Sequence, residues 1–276
     1  MIYQNRKWNI GFGFVFLVLA AGWIYPMIFP PPAVAGGASA DFDFNGDGTG
    51  DPALFRPLTG LWVVRDISRF YYGVIGDIPS PDDYNGDGTS ENAIFRGGRW
   101  AIRGITRVYY GAPGDRPIAG DYTGDGTGDI GVFRSSSSLW AIRGVTRIYF
   151  GSQTDIPVFF QSNPSSAAAI GIYRPADGLW ALRGETRVYF GGPGDLPVWD
   201  PTPADGGFTP GIFRRRTGLW AFQGLTRFYF GRAGDIPLSA DFNGDGSIEA
   251  GIFRSETGLW ALRKISRFYY GQKSDV

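Results

Sequence analysis

Six tryptophans recur down the chain at nearly constant intervals. Trp62, Trp100, Trp140, Trp180, Trp220 and Trp260 are separated by 38, 40, 40, 40 and 40 residues. Self-similarity at such a period marks a repeat architecture, in which each unit is one supersecondary element that cannot bury its apolar face alone. Residues 37–276 divide into six units of about forty. The sixth unit shows the pattern: an extended segment over Asp235-Ile-Pro-Leu-Ser-Ala240, an acidic glycine loop, then short apolar runs at Gly251-Ile-Phe-Arg254, Leu259-Trp-Ala-Leu-Arg263 and Ser266-Arg-Phe-Tyr-Tyr-Gly271. With 43 Gly and 19 Pro and aromatics at period two, helical repeats are excluded. Four short antiparallel strands per forty residues predict an all-β chain, a six-bladed β-propeller.

Blade sheets packed face to face bury their inner strands on both sides, which accounts for Leu-Trp-Ala runs with no clean polar face. The six Trp are expected in that core; the competing reading is a row of exposed rings that stack sugars. Arg56, Arg96, Arg134, Arg174, Arg214 and Arg254 follow the second strand, and Arg69, Arg107, Arg147, Arg187, Arg227 and Arg267 occupy the fourth. With an Asp in each turn from Asp77 to Asp235, both sets are expected to make structural ion pairs rather than a nucleic-acid groove. The ring is expected to close by joining unit six to a first strand near Ala38; an open array is the alternative.

Between the first and second strands, four units carry the same acidic loop. Counting the first Asp as position one, the oxygen-bearing residues are Asp43, Asn45, Asp47, Thr49 and Asp51 in unit one and Asp83, Asn85, Asp87, Thr89 and Glu91 in unit two. Unit three has Asp121, Thr123, Asp125, Thr127 and Asp129, and unit six has Asp241, Asn243, Asp245, Ser247 and Glu249. Side chains at one, three, five and nine, with the carbonyl of residue seven between them and glycines at the sharp turns, form the all-oxygen set that Ca2+ prefers. Asn-Gly and Asp-Gly alone make hairpin turns, but turn chemistry does not call for a carboxylate at position nine four times over. Up to four structural calcium sites are therefore expected. The chain has no His and no Cys, which removes the usual zinc, copper, haem and iron–sulfur ligands, thiol nucleophiles and the commonest general base.

The run Asp43-Phe-Asn-Gly-Asp-Gly-Thr-Gly-Asp51 followed by Ala53-Leu-Phe-Arg56 resembles the FG-GAP or VCBS-type repeat, the unit of integrin α-subunit propellers and of many bacterial surface proteins. The resemblance covers residues 37–276 and implies a calcium loop in each blade. It also implies a role in adhesion, carbohydrate binding or complex assembly, and no single chemistry. Six units depart from the integrin number, and the N-terminal segment is no part of the repeat family.

That segment carries Arg6 and Lys7 as the only charges before Asp41, then an apolar run from Ile10 to Phe29 flanked by Trp8, Trp23 and Tyr25. About twenty residues at 1.5 Å each cross one hydrocarbon core, so residues 8–29 predict a transmembrane helix with residues 1–7 in the cytoplasm. The alternative is a cleaved signal peptide, since Ala33-Val34-Ala35 and Ala38-Ser39-Ala40 resemble cleavage sites. Residues 30–36 form a proline-rich stem, and residues 37–276 are expected outside the cytoplasm, periplasmic or extracellular. Gly11, Gly13, Ala20, Ala21 and Gly22 suit close helix contact, so the expected partner is an integral-membrane complex, respiratory or photosynthetic, held by the helix and a propeller face.

Lys+Arg and Asp+Glu are both 26, so no net field draws the chain to nucleic acid. With the carboxylates committed to metal loops, the expectation is a non-enzymatic scaffold, the alternative a membrane-tethered adhesin or lectin that binds glycan. Units four and five have lost the loop, carrying Gln161, Asn163, Ser165 and Ala169, or Pro201, Pro203, Asp205 and Thr209, at the ligand positions. There Phe159, Phe160 and Trp199 replace small residues; repacking of the core is one reading, and a candidate partner contact is the other.

Overall fold

The computed structural model describes residues 33–34, 42–161, 166–198 and 208–271. They form six separate antiparallel sheets, one per repeat, each with its strands in sequence order. The third is representative: Arg116–Pro117, Gly131–Arg134, Leu139–Ile142 and Thr146–Tyr149. The chain is a six-bladed β-propeller. In the first blade the described strands are Ala53–Arg56, Leu61–Val64 and Ser68–Tyr71; the segment near Ala38 expected as its first strand lies outside the described residues. The fourth sheet gains a fifth strand, Ala33–Val34, parallel to Ile156–Gln161 with Ala33 opposite Phe160. No described helix is long and apolar enough to cross a membrane, and residues 8–29 lie outside the described part.

Why Leu-Trp-Ala recurs follows from the pleat. Successive side chains on a strand point to opposite faces. Trp140 sits on the same face as its cross-strand neighbour Phe133, ring centroids 5.2 Å apart. Together they pack against Ile172 and Ala181 of the next blade. Ala141, one residue on, points the other way and receives Trp100 of the preceding blade. A large residue on one face and a small one on the other let identical blades nest, at the close-packed density of protein interiors. The same pairing joins blade one to two through Trp62 and Ala101, four to five through Trp180 and Ala221, and five to six through Trp220 and Ala261. Phe253 and Trp260 of blade six pack on Leu54 of blade one, and the Gly50 N–H donates to the Asp241 carbonyl at 2.7 Å. Six blades thus have six interfaces, and the ring is closed.

The Trp rings are core, not an exposed sugar-binding row: five are fully buried and Trp260 is 4% exposed. Each indole N–H also donates to the carbonyl ten residues on, from Trp62 to Tyr72 at 2.9 Å through Trp260 to Tyr270 at 3.1 Å. That bond fixes the outer strand to the third strand of its own blade. Buried Asp115, Asp155, Asp195 and Asp235 pair bidentately with Arg134, Arg174, Arg214 and Arg254 at 2.7–3.0 Å. Each ties the turn that leads into a blade to that blade's second strand. Trp140→Ala is expected to cost about 3–5 kcal/mol, read as a lower urea midpoint, whereas Tyr229→Ala on the solvent edge stays within about 0.5 kcal/mol.

Candidate functional site

The four acidic loops share one geometry, built around the first aspartate. In the first loop Asp43 Oδ1 accepts the Gly46 N–H at 2.6 Å and Oδ2 accepts the Gly48 N–H at 2.8 Å. Gly46 and Gly48 hold φ of +78° and +84°, a backbone that side chains resist. The corresponding Asp83, Asp121 and Asp241 make the same two bonds within 0.1 Å. Asn45 Oδ1 accepts the Asp47 N–H at 2.8 Å, as Asn85 and Asn243 do for Asp87 and Asp245. The ninth residue closes the loop: Asp51, Glu91, Asp129 and Glu249 accept the N–H of Phe44, Tyr84, Tyr122 and Phe242 at 2.8–3.0 Å.

These bonds bring carboxylates together. In the sixth loop one oxygen from each of Asp241, Asp245 and Glu249 lies within 4.8 Å of the others. The ninth carboxyls feel the crowding. Asp51 is pushed up to about 6, first by burial and then by the charges of Asp43 and Asp47, against the pull of the Phe44 N–H. Glu91, Asp129 and Glu249 are raised for the same reasons, burial first. The fifth residues go the other way: the Thr49 hydroxyl and N–H lower Asp47, and Thr89 and Thr127 do the same for Asp87 and Asp125. Ser247 lowers Asp245, its N–H leading. The seventh residue therefore braces the fifth carboxylate with its hydroxyl, a role beyond the carbonyl ligand that the spacing led one to expect. An oxygen-only set whose carboxylates oppose one another's ionisation fits a hard divalent cation, which relieves that repulsion.

Two features escaped the sequence. The loops are chained: the N–H of position eight in one loop donates to the first-Asp carbonyl of the preceding loop, as Gly50 to Asp241, Ser90 to Asp43 and Gly128 to Asp83, at 2.6–2.7 Å. Ala168 of the fourth repeat continues the chain to Asp121 at 2.8 Å. Gln161, which replaces the first Asp there, is buried and donates from Nε2 to Asp121 Oδ2 at 3.3 Å and to the Ser166 carbonyl at 2.7 Å. An uncharged amide thus stands where the acidic loops carry their first carboxylate. The second feature is Asp82, whose carboxyl abuts Gly128 of the next loop and is pushed up to about 7, mainly by burial, with Asp83, Asp121 and Asp129 adding to the rise against the Asp83 N–H. No spacing rule marks a carboxylate that faces the neighbouring loop.

The candidate partner contact is corrected. Phe159 and Phe160 are each 8% exposed. Phe159 packs with Tyr122 and Trp140 between blades three and four, and Phe160 with Trp180 and Phe208 between four and five. The first two strands of this blade run to six residues each, and large rings fill the boundary. Trp199, Asn163, Ser165 and the fifth-repeat loop before Phe208 lie outside the described residues.

The solvent-facing aromatics are elsewhere. Tyr71, Tyr109, Tyr149, Tyr189, Tyr229 and Tyr269, one per outer strand, are 68–80% exposed. Two residues before each stands an exposed arginine, from Arg69 to Arg267. The ion pairs expected for these six do not form: among the described residues no carboxylate lies within ion-pair distance of any of them.

No protein-family model and no curated sequence matches this chain. Among solved structures it is similar to the BBS1N chain of a crystal structure of BBS1N in complex with ARL6DN, with a TM-score of 0.53 at 10% identity. The match covers 87% of this chain and 84% of that one, and at such identity it bears on the fold alone.

Asp245→Ala is expected to remove one of four bound calcium ions, while Gln161→Ala leaves the number unchanged, as counted by atomic absorption after dialysis. The metal effect should also depend on pH. Without metal, the raised Asp51 carboxyl favours the folded chain below its ordinary value of 3.8, and that contribution is lost as pH climbs through about 6. Calcium needs the ionised form, so the calcium-induced rise in melting temperature should be full at pH 7 and shrink as pH falls through 6. An unchanged rise at pH 5 would argue against carboxylate ligands.

Proposed function

We propose that the chain is a non-catalytic, calcium-stabilised propeller of the FG-GAP or VCBS type, held at a membrane by residues 8–29 and displayed outside the cytoplasm as a scaffold for a membrane protein complex. The observation that carries this reading is the chain of acidic loops. Blades six, one, two and three each present the same oxygen cage, and backbone bonds of 2.6–2.7 Å link each cage to the next. Cations bound there cross-link the ring electrostatically, and carboxylates committed in this way are not free for acid–base work. A rigid ring with a stabilised sector suits a protein whose task is to present a surface. The apolar run from Ile10 to Phe29, with basic Arg6 and Lys7 before it, supports the anchor and its orientation.

A second reading, a tethered glycan-binding protein, is favoured by the exposed arginine and tyrosine on every outer strand. The two are separated by purification in mild detergent. The scaffold reading expects the protein in the membrane fraction at the intact mass of 30.1 kDa, with integral-membrane subunits co-purifying in fixed ratio. A mature N-terminus near Gly36 or Asp41, in a protein free of membranes, would rule out the anchor.

A further inference from the structure

Four blades share a turn that the third does not, and the second has a hairpin two residues shorter. Between the second and third strands, Gly60, Gly98, Gly178, Gly218 and Gly258 hold φ between +67° and +92°. A Cβ on any of them meets the backbone carbonyl oxygen thirteen residues on at 2.2–2.6 Å. The third repeat has Ser138 at this position, with φ of +55°. Its Cβ occupies the space that glycine keeps clear, and the turn is rebuilt around it. The Ser138 N–H donates to the Ser135 carbonyl at 3.3 Å, whereas Gly60, Gly178, Gly218 and Gly258 bond the arginine four residues back at 2.9 Å. The Phe150 N–H reaches the Ser138 carbonyl at 2.9 Å, against 2.7–2.8 Å in the other five blades. Ser138 is the one non-glycine residue at this turn position, which motivates a functional reading of the turn.

Beside this turn, between blades three and four, lies a cleft of about 370 Å3. Ser137, Ser138 and Tyr149 line one side, and Ile172, Arg174 and Arg187 the other. Asp155 already neutralises Arg174 at 2.7 and 2.9 Å. Among the described residues no carboxylate lies within ion-pair distance of Arg187. We propose that this cleft binds an acidic sugar residue, a uronate within a linear polysaccharide. Its carboxylate pairs with the Arg187 guanidinium, whose fork suits a bidentate carboxylate. Its ring lies on Tyr149, and its hydroxyls meet those of Ser137 and Ser138. The volume falls in the range of small-ligand sites. A polymer is favoured over a single nucleotide because Arg147 with Tyr149 and Arg187 with Tyr189 repeat the same exposed pair on adjacent outer strands. A chain with regularly spaced carboxylates gains a second contact there at high effective concentration.

The test is calorimetric titration of the full chain, in calcium, with a tetrasaccharide of alternating glucuronate and neutral hexosamine, its carboxyl-reduced form and AMP. The native chain is expected to bind the acidic tetrasaccharide and to lose tenfold or more with the reduced form. Arg187→Gln and Tyr149→Ala should each weaken binding about tenfold, and Ser138→Gly, which restores the glycine turn, should do so without lowering the melting temperature. Arg227→Gln, on a blade without the cleft, should change it less than twofold. No binding at millimolar tetrasaccharide, native affinity in Arg187→Gln or Ser138→Gly, or tighter binding of AMP would each overturn the proposal. None of these outcomes depends on the membrane anchor, so the scaffold reading stands or falls separately.

Discussion

No blade of this propeller has a core of its own. Every cluster of buried residues joins the Trp face of one sheet to residues of the next. Hydrophobic burial, the main favourable term in folding, is therefore realised only across blade boundaries, and a terminal blade in an open array leaves a Phe–Trp face in water. Closure follows from that constraint, as does the strict period. The contact of Phe253 and Trp260 with Leu54 is the same contact as the other five, made by residues far apart in sequence.

The equal counts of acidic and basic residues conceal a separation of charge. Many carboxylates gather in the loops between first and second strands, where burial first and neighbouring charges after it raise the ninth carboxyls. On the outer strands exposed arginines stand beside exposed tyrosines, with no carboxylate among the described residues at ion-pair distance. A third set of charges, the buried aspartates bonded to Arg134, Arg174, Arg214 and Arg254, is spent on holding the turns. Acidic loops and basic edge therefore lie at different places on each blade.

Much of this was legible in residue spacing. The Trp period locates the third strands, and the Asp-x-Asn-x-Asp-Gly pattern locates the loops and their nine positions, because both depend on local periodicity and on residues whose backbone preference is strong. What spacing hid depends on neighbours in other repeats. Phe159 and Phe160, standing where other repeats have small residues, left repacking and surface contact both open; only the nesting of blades shows that they fill a boundary. The exposed Tyr of each outer strand looks like core by composition and by its Phe or Tyr neighbour, and one step along the pleat decides the matter. Ser138 differs from Gly178 by a hydroxymethyl group, and its meaning lies in a carbonyl thirteen residues away that no motif records.

The central claim is that cations in the loops hold the ring together through the chain of loop-to-loop bonds. It is tested most directly by thermal unfolding of the full chain followed by tryptophan fluorescence, since an indole lies at each of the six blade boundaries. One cooperative transition is expected, with its midpoint raised substantially by millimolar calcium relative to EGTA. Equal midpoints in calcium and EGTA would contradict the account.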